Sequence, residues 1–335
     1  MGKRSPDLVD ARSSSAEAHM MHRLWFVLGI VIIASISLKT LTSLPRSELQ
    51  VIVCDVGQGD GILIVYGFYQ LLVDAGRTPQ PILTCLEKHM PAGDSRIESV
   101  VMTHPDSDHF GGLSAVIDRY AISQLLLLPI PKETADYKLL MESISGHLGN
   151  NLTEVVVAAP GMSRVMGSSV GWQVLSAGTS KTRQILDSLP LKIIAEQQLW
   201  DVYQQFSQQI EGGEIDTNGE SIVLFLTFNE FSLLLTGDIG EKGEQALISQ
   251  GVLQHSTVLK VGHHGSKSSS STDFLKIVQP ELALISAGQD NSYGHPHKQV
   301  LSSLEASHST VLRTDLMGEI VLTSDGFRYW WHTQK

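Results

Sequence analysis

Thr103-His104-Pro105-Asp106-Ser107-Asp108-His109-Phe110-Gly111-Gly112 places four potential metal ligands, His104, Asp106, Asp108 and His109, within six positions. The stretch directly follows Ser99 to Met102, an apolar run that reads as a strand. A solvated acidic turn has no structural need for two histidines among its carboxylates, whereas a metal loop does. Where residues alternate in direction, His104 and Asp106 point at one cation while Asp108 and His109 face a second. Two-metal hydrolases use that separation to hold both the attacking and the leaving oxygen of a displacement. Gly111 and Gly112 are expected to let the next helix begin close to the ions.

Outward from this loop, strand and helix patterns alternate. Before it, Leu49 to Val56 reads as a strand, Gly57 to Gly61 as a turn, Ile62 to Tyr66 and Gln70 to Val73 as strands, and Pro81 to His89 as a helix. After it come helical Leu113 to Tyr120, a buried strand at Gln124 to Leu128 and an amphipathic helix at Glu133 to Leu148. Ala177 to Gly213 is polar, rich in Gln and without strand signals, so it is expected to be a helical insertion over one face. Strands resume at Ser221 to Phe228 and Phe231 to Leu235. The pattern implies a layered α/β domain over residues 49–330, with its site on loops at strand ends.

Three more strands run into chemistry-bearing residues. Leu233 to Gly237 leads into Asp238, placed to bridge two cations with a shared carboxylate. Thr257 to Val261 leads into Gly262-His263-His264-Gly265. On extended backbone two adjacent histidines point oppositely, so one is expected to be a ligand and the other to orient it or face the substrate. Leu282 to Ser286 leads to a loop holding His295 and His297 around Pro296, either of them a candidate general acid or phosphate donor. The other seven of the 13 histidines have no such company.

A formal net charge of -11 argues against a broad basic surface, so nucleic acid would need a local cationic cluster or bridging cations. Leu24 to Leu38 is an uncharged apolar run between Arg23 and Lys39, short for a spanning helix but extendable through Thr40, Leu41 and Leu44. Residues 1–23 are expected to be a polar cytoplasmic tail and 24–44 a transmembrane anchor or a cleaved secretory signal. The bias of Lys3, Arg4, Arg12 and Arg23 over Lys39 and Arg46 puts the remainder outside the cytoplasm. Cys54 and Cys85 are too few for a structural zinc cluster, and their pairing is left open.

Taken together, Asp55-Val56-Gly57-Gln58-Gly59-Asp60, Asp74-Ala75-Gly76, residues 103–112, Thr236-Gly237-Asp238 and Lys260-Val261-Gly262-His263-His264-Gly265-Ser266 resemble the metallo-β-lactamase superfamily. Within it the likeness is to the extracellular hydrolase domain of the DNA-internalisation competence protein ComEC, over about residues 49 to 330. The resemblance implies a four-layer αβ/βα sandwich with two divalent ions, zinc or manganese, between its sheets. It further implies that His104 and Asp106 bind one ion and Asp108 and His109 the other, with Asp238 bridging, His263 completing the set, and Asp60 and Asp74 orienting ligands. Asp106 stands where the wider superfamily has His, no counterpart is found for the His expected before Asp238, and Asn218 stands where competence-type proteins carry Asn. Such an oxygen-rich set favours manganese over zinc.

The expected activity is hydrolysis of a phosphodiester, DNA among the candidates, by a metal-activated water, with Asp108, His264 and His295 as catalytic residues. Hydrolysis of a cell-wall phosphoester or lactone, and a non-catalytic anchored binding module, are the alternatives. This chain has one apolar segment and lacks the polytopic channel region of ComEC, so transport of DNA is not inferred for it.

Overall fold

A computed structural model describes residues 21–33, 35, 47–188, 198–209 and 215–335. Two compact units divide the chain, Met1–Pro45 and Arg46–Lys335. In the first, residues 21–33 are helical. Among the described residues no helix is long and apolar enough to cross a membrane. Residues 1–20, 34 and 36–46 lie outside the described set, and with them most of the expected tail and part of the expected 24–44 segment.

The second unit is a mixed α/β sandwich of two sheets, consistent with the metallo-β-lactamase fold. The first sheet contains β1 (Leu49–Val53), β2 (Ile62–Tyr66), β3 (Tyr69–Val73), β4 (Arg96–Val101), β5 (Ala121–Leu127) and β6 (Leu152–Val157). The second contains β7 (Ser163–Met166), β8 (Val170–Ala177), β9 (Ile222–Phe228), β10 (Phe231–Leu235), β11 (Val258–Lys260), β12 (Leu282–Ile285) and β13 (Thr310–Arg313). The chain then returns to the first sheet as β14 (Ile320–Ser324) and β15 (Tyr329–Thr333). Strand order is β15-β14-β1-β2-β3-β4-β5-β6 in one sheet and β13-β12-β11-β10-β9-β8-β7 in the other.

Alternation along the strands builds the layers. In β10, Leu233 and Leu235 join a cluster that takes in both sheets, while Leu234 between them joins a second cluster with Leu247, Phe274, Leu275, Val300 and Leu304. Those five belong to helices Glu241–Gln250, Thr272–Val278 and Lys298–Ala306, so the period of two sends one face to the neighbouring sheet and the other to a helical layer. Helices Pro79–His89, Leu113–Arg119 and Ala135–His147 cover the first sheet through Ile82, Leu86, Val116, Ile117, Leu140 and Ile144. Runs apolar on both faces are what a strand covered on both sides requires.

In each sheet one half is parallel: β3-β4-β5-β6 and β10-β11-β12-β13. Parallel strands deliver all their carboxyl ends to one edge, where open α/β sheets place their sites. Asp74 follows β3, Thr103 and His104 follow β4, Asp238 follows β10, and His263 and His264 follow β11. The expected strand Leu49 to Val56 stops at Val53, where the backbone folds so that the Cys54 N–H donates to the Gly61 carbonyl at 2.9 Å. Cys54 is joined to Cys85 of helix Pro79–His89 in a disulfide with Cα atoms 5.9 Å apart. Of the expected insertion, two helices are described, Ser180–Ser188 and Gln198–Gln209.

The disulfide spans 31 positions in sequence. Closing a loop of that size removes denatured-state entropy corresponding to roughly 4 kcal/mol. Cys54→Ala/Cys85→Ala is therefore expected to melt several degrees below the parent under non-reducing conditions and to be insensitive to dithiothreitol; equal melting of parent and variant would refute the bridge.

Candidate metal centre

At this shared edge, Asp238 is the point of convergence. The Nε2 atoms of His109, His264 and His104 lie 3.4, 3.3 and 4.0 Å from its Oδ2. His109 Nε2 and His264 Nε2 are 3.3 Å apart, and Asp108 Oδ2 is 3.8 Å from His264 Nε2. Two donors bound at about 2.05 Å to one tetrahedral ion lie about 3.3 Å from each other. The edges joining His109, His264 and Asp238 therefore already match such an ion. The buried His104 Nε2 and Asp238 Oδ1 have no hydrogen-bond partner, which a buried polar atom tolerates poorly unless it is a ligand. The residues present fit a divalent cation.

Each ligand candidate is held from its other side. His109 Nδ1 lies 2.8 Å from Asp74 Oδ2, and Asp74 also accepts from the Thr103 N–H at 2.8 Å and the Thr103 hydroxyl at 2.7 Å. His264 Nδ1 donates to the Ser286 carbonyl at 2.9 Å and lies 3.4 Å from Asp60 Oδ1. Asp60 in turn pairs at 2.8 Å with Lys260 Nζ, the lysine being 1% exposed. The Ser221 hydroxyl accepts from the Asp238 N–H at 3.0 Å and lies 3.4 Å from His104 Nδ1. Bonds of this kind fix the ring orientation and raise ligand basicity.

The backbone supplies the aim. Asp74, His263 and His264 adopt left-handed φ of 59°, 49° and 53°. Outside glycine that conformation costs on the order of 1 kcal/mol or more per residue and concentrates where geometry serves function. Gly59, at φ 121°, carries the 57–61 turn against the Asp108 carbonyl, which a Cβ there would approach to 1.9 Å. Gly111 has a different role from the one its sequence position suggests. A Cβ on it would meet the Arg77 carbonyl at 2.0 Å, so it seats the motif on the 74–78 loop rather than on the ions.

Charges within the cluster sustain one another. Burial opposes ionisation of Asp238, yet His264 and His109 outweigh it and hold the carboxyl well below its usual range. Burial likewise opposes a proton on His264, but Asp238 and Asp60 push it up to about 9, and His109 is raised by Asp238 and Asp74. His104, by burial and then by repulsion from His109, falls to about 3 and presents a neutral ring.

His104, Asp108, His109 and Asp238 thus come together at this edge, and the adjacent histidines divide. His264 lies in the cluster, whereas His263, with its left-handed backbone, turns its Nε2 to Asn218 Nδ2 at 3.3 Å. An extended chain would only alternate the two rings; the tight turn through Gly262–Gly265 is what selects between them. Asp106 lies at the margin, its Oδ2 3.8 Å from His104 Nε2 and its Oδ1 bonded to Lys132 Nζ and, at 2.9 Å, to the Thr217 hydroxyl. His295 lies 5.5 Å from His263, ring to ring, and 5.3 Å from His297. Burial, followed by the neighbouring histidines, brings His295 down to about 4.

Lys132, Arg77, Lys260, Thr217 and Ser221 were not singled out from the sequence. Lys132 sits in an unremarkable Ile130-Pro131-Lys132 and Arg77 in a plain turn, so neither carries a local signal. Arg77 reaches Asp108 at 3.9 Å. A cleft of about 310 Å³ leads from Asp238 and His263 past Asn218 to Lys242 and Ser268.

No family model matches the chain. It is 31% identical over 281 residues to the competence protein ComA of Neisseria gonorrhoeae, an alignment covering 83% of this chain and 33% of that protein. It is 28% identical over 291 residues to the ComE operon protein 3 of Bacillus subtilis, covering 82% and 33%. The chain is a homologue of these competence proteins. It spans about a third of the length of the curated relatives it matches. Among solved structures, the metallo-β-lactamase fold protein YhfI of Bacillus subtilis superposes with a TM-score of 0.48 at 11% identity, covering 85% of this chain and 99% of that one. The likeness to competence proteins of the ComEC kind read from the motifs agrees with these alignments.

An ion that binds only the folded chain stabilises it by about 2.7 kcal/mol at a hundred times its Kd. Manganese or zinc is accordingly expected to raise the melting temperature of chelator-treated protein by roughly 5 °C, and Asp74→Asn to weaken binding by about 10- to 100-fold. If His264 is a ligand it must shed a proton to bind, so affinity is expected to rise with pH across the window below about 9, the value to which Asp238 and Asp60 push it up. Melting unchanged by either ion at any pH in that window would refute a metal centre.

Proposed function

We propose that residues 49–330 form a metal-dependent hydrolase of phosphodiester bonds, nucleic acid among its substrates. The observation that carries this reading is the matched set of donor edges among His109, His264 and Asp238, with Asp108 beside it. In this reading Asp108, His109, His264 and Asp238 hold one ion, and His104, Asp106 and the shared Asp238 hold a second. Bound there, divalent ions would supply Lewis acidity toward a water and toward the phosphoryl oxygens. The oxygen-rich donor set suits manganese as well as zinc.

Hence His264 is assigned to the ligands and His263 to the substrate side, a choice the residues alone left open and the reverse of what the resemblance implies. His263 lines the cleft, steadied by Asn218, and serves to position a phosphoryl oxygen. His295, brought down to about 4, is neutral at pH 7; it offers an N–H to the substrate rather than a proton to a leaving group. Arg77 and Lys132 at the margin, with Lys242 in the cleft, provide the local positive charge that a net charge of -11 otherwise denies a polyanion.

The purified chain, loaded with manganese or zinc, is expected to hydrolyse bis(4-nitrophenyl) phosphate and a short single-stranded DNA, with both activities lost in Asp108→Ala/His109→Ala. Turnover of a lactone alone would assign a different hydrolase. Loaded protein inert toward all three would instead indicate a binding module.

We further propose that this domain works outside the cytoplasm, behind the apolar residues 24–44 as anchor or signal. The Cys54–Cys85 bridge supports this, since such bonds persist in oxidising compartments. A reporter that is active only after export is expected to be active when fused after Lys335; a reporter active only in the cytoplasm would overturn the placement.

A further inference from the structure

The two halves of the centre are unequal. Around His109, His264 and Asp238 the donor spacings are 3.3 to 3.4 Å. On the other side, His104 Nε2 is 3.8 Å from Asp106 Oδ2 and 4.0 Å from Asp238 Oδ2. Asp106 joins none of the described three-donor sets whose atoms lie within 4.8 Å of one another. The reason is visible at its other oxygen, which is taken by the Lys132 ammonium and the Thr217 hydroxyl. A fixed positive charge therefore sits on the carboxylate that the second ion would use.

Lys132 is placed there by a distant part of the chain. Its backbone N–H donates to the Tyr203 hydroxyl at 3.0 Å, and that hydroxyl is 3.3 Å from its carbonyl oxygen, in geometry suited to donating back. Tyr203 is 7% exposed, lies on helix Gln198–Gln209 of the expected insertion, and has its ring 6.2 Å from that of Tyr137, which is fully buried beneath the metal motif beside Phe110. The helix thus holds the Lys132 loop by both backbone polar groups of one residue and anchors that hold in the core.

We propose that Lys132 acts as a built-in cation at the His104/Asp106 position, so that the centre holds one ion tightly and a second weakly, and that helix Gln198–Gln209 sets this difference through Tyr203. The proposal rests on the metal-dependent reading above. Two effects act together: the ammonium competes for the Asp106 lone pairs, and it repels a second cation a few ångströms away at a site only partly shielded from solvent. Lys132 and Asp106 side chains are 26% and 27% exposed, so replacing the lysine leaves no buried charge stranded.

The test is calorimetric titration of the whole, chelator-treated chain with manganese, checked by metal analysis after gel filtration. The parent is expected to show two binding classes. Lys132→Gln should tighten the weak class by at least about tenfold while the tight class stays within about twofold. Lys132→Arg, which keeps the charge, should resemble the parent, and Tyr203→Phe should move the weak class in the same direction by less. Circular dichroism verifies folding, and Lys132→Met repeats the measurement should the glutamine variant misfold. Two equal classes in the parent, or a weak class unmoved in Lys132→Gln, overturns the proposal and leaves the metal-dependent hydrolase standing. No bound ion in any variant overturns both.

Discussion

Three histidine rings converge on a carboxylate buried at 3% exposure, Asp238, and that convergence constrains the site. Removing a charge from water is costly unless opposite charge or an ion replaces the solvent, and here the ring nitrogens of His109 and His264 do so from two directions. Those rings come from opposite sheets: His109 follows β4 of the first and His264 follows β11 of the second. The centre therefore exists only while the sheets face each other in one registration, which ties the apolar core to the chemistry. The same requirement explains the depth of support behind each ring, where Asp74 and Thr103 brace His109 while Asp60, Lys260 and Ser286 brace His264.

Such a site is assembled at some expense in local conformation. Three non-glycine residues, Asp74, His263 and His264, hold left-handed backbone within it. Each is tied down: Asp74 accepts three hydrogen bonds, the His263 N–H donates to the Gly237 carbonyl at 3.2 Å, and His264 is held through Nδ1. Strain persists where the surroundings over-determine it, and the close-packed strands behind these turns do so here. The Lys260–Asp60 pair belongs to the same pattern. A buried lysine is of little use to stability in itself, but with Asp60 ionised it keeps a negative charge behind His264.

Most of the architecture was legible along the chain, for identifiable reasons. Ile62 to Tyr66 and Phe231 to Leu235 are bounded by turn residues and match their strands end for end. Leu49 to Val56 and Thr257 to Val261 overran because apolar character continues past the point where the backbone turns to build the site. β6, β7, β8, β13, β14 and β15 were not anticipated; in β7, of Ser163 to Met166 only Met166 is buried, so that segment has no periodicity to read. The metal motif could be read because its ligands are close in sequence. Lys132 and Tyr203 could not, since what matters about them is a contact across 71 positions.

By itself, the sequence determined the strands that run into the site and which residues could bind metal, because hydrophobic period and donor spacing are local properties. Tertiary structure decided the rest. It put His264 beside Asp238 and His263 beside Asn218, seated Gly111 on the Arg77 loop, joined Cys54 to Cys85, and put the Lys132 ammonium on Asp106. Each of these depends on distances between segments far apart in the chain, and only the packing of the two sheets and their helices sets those distances.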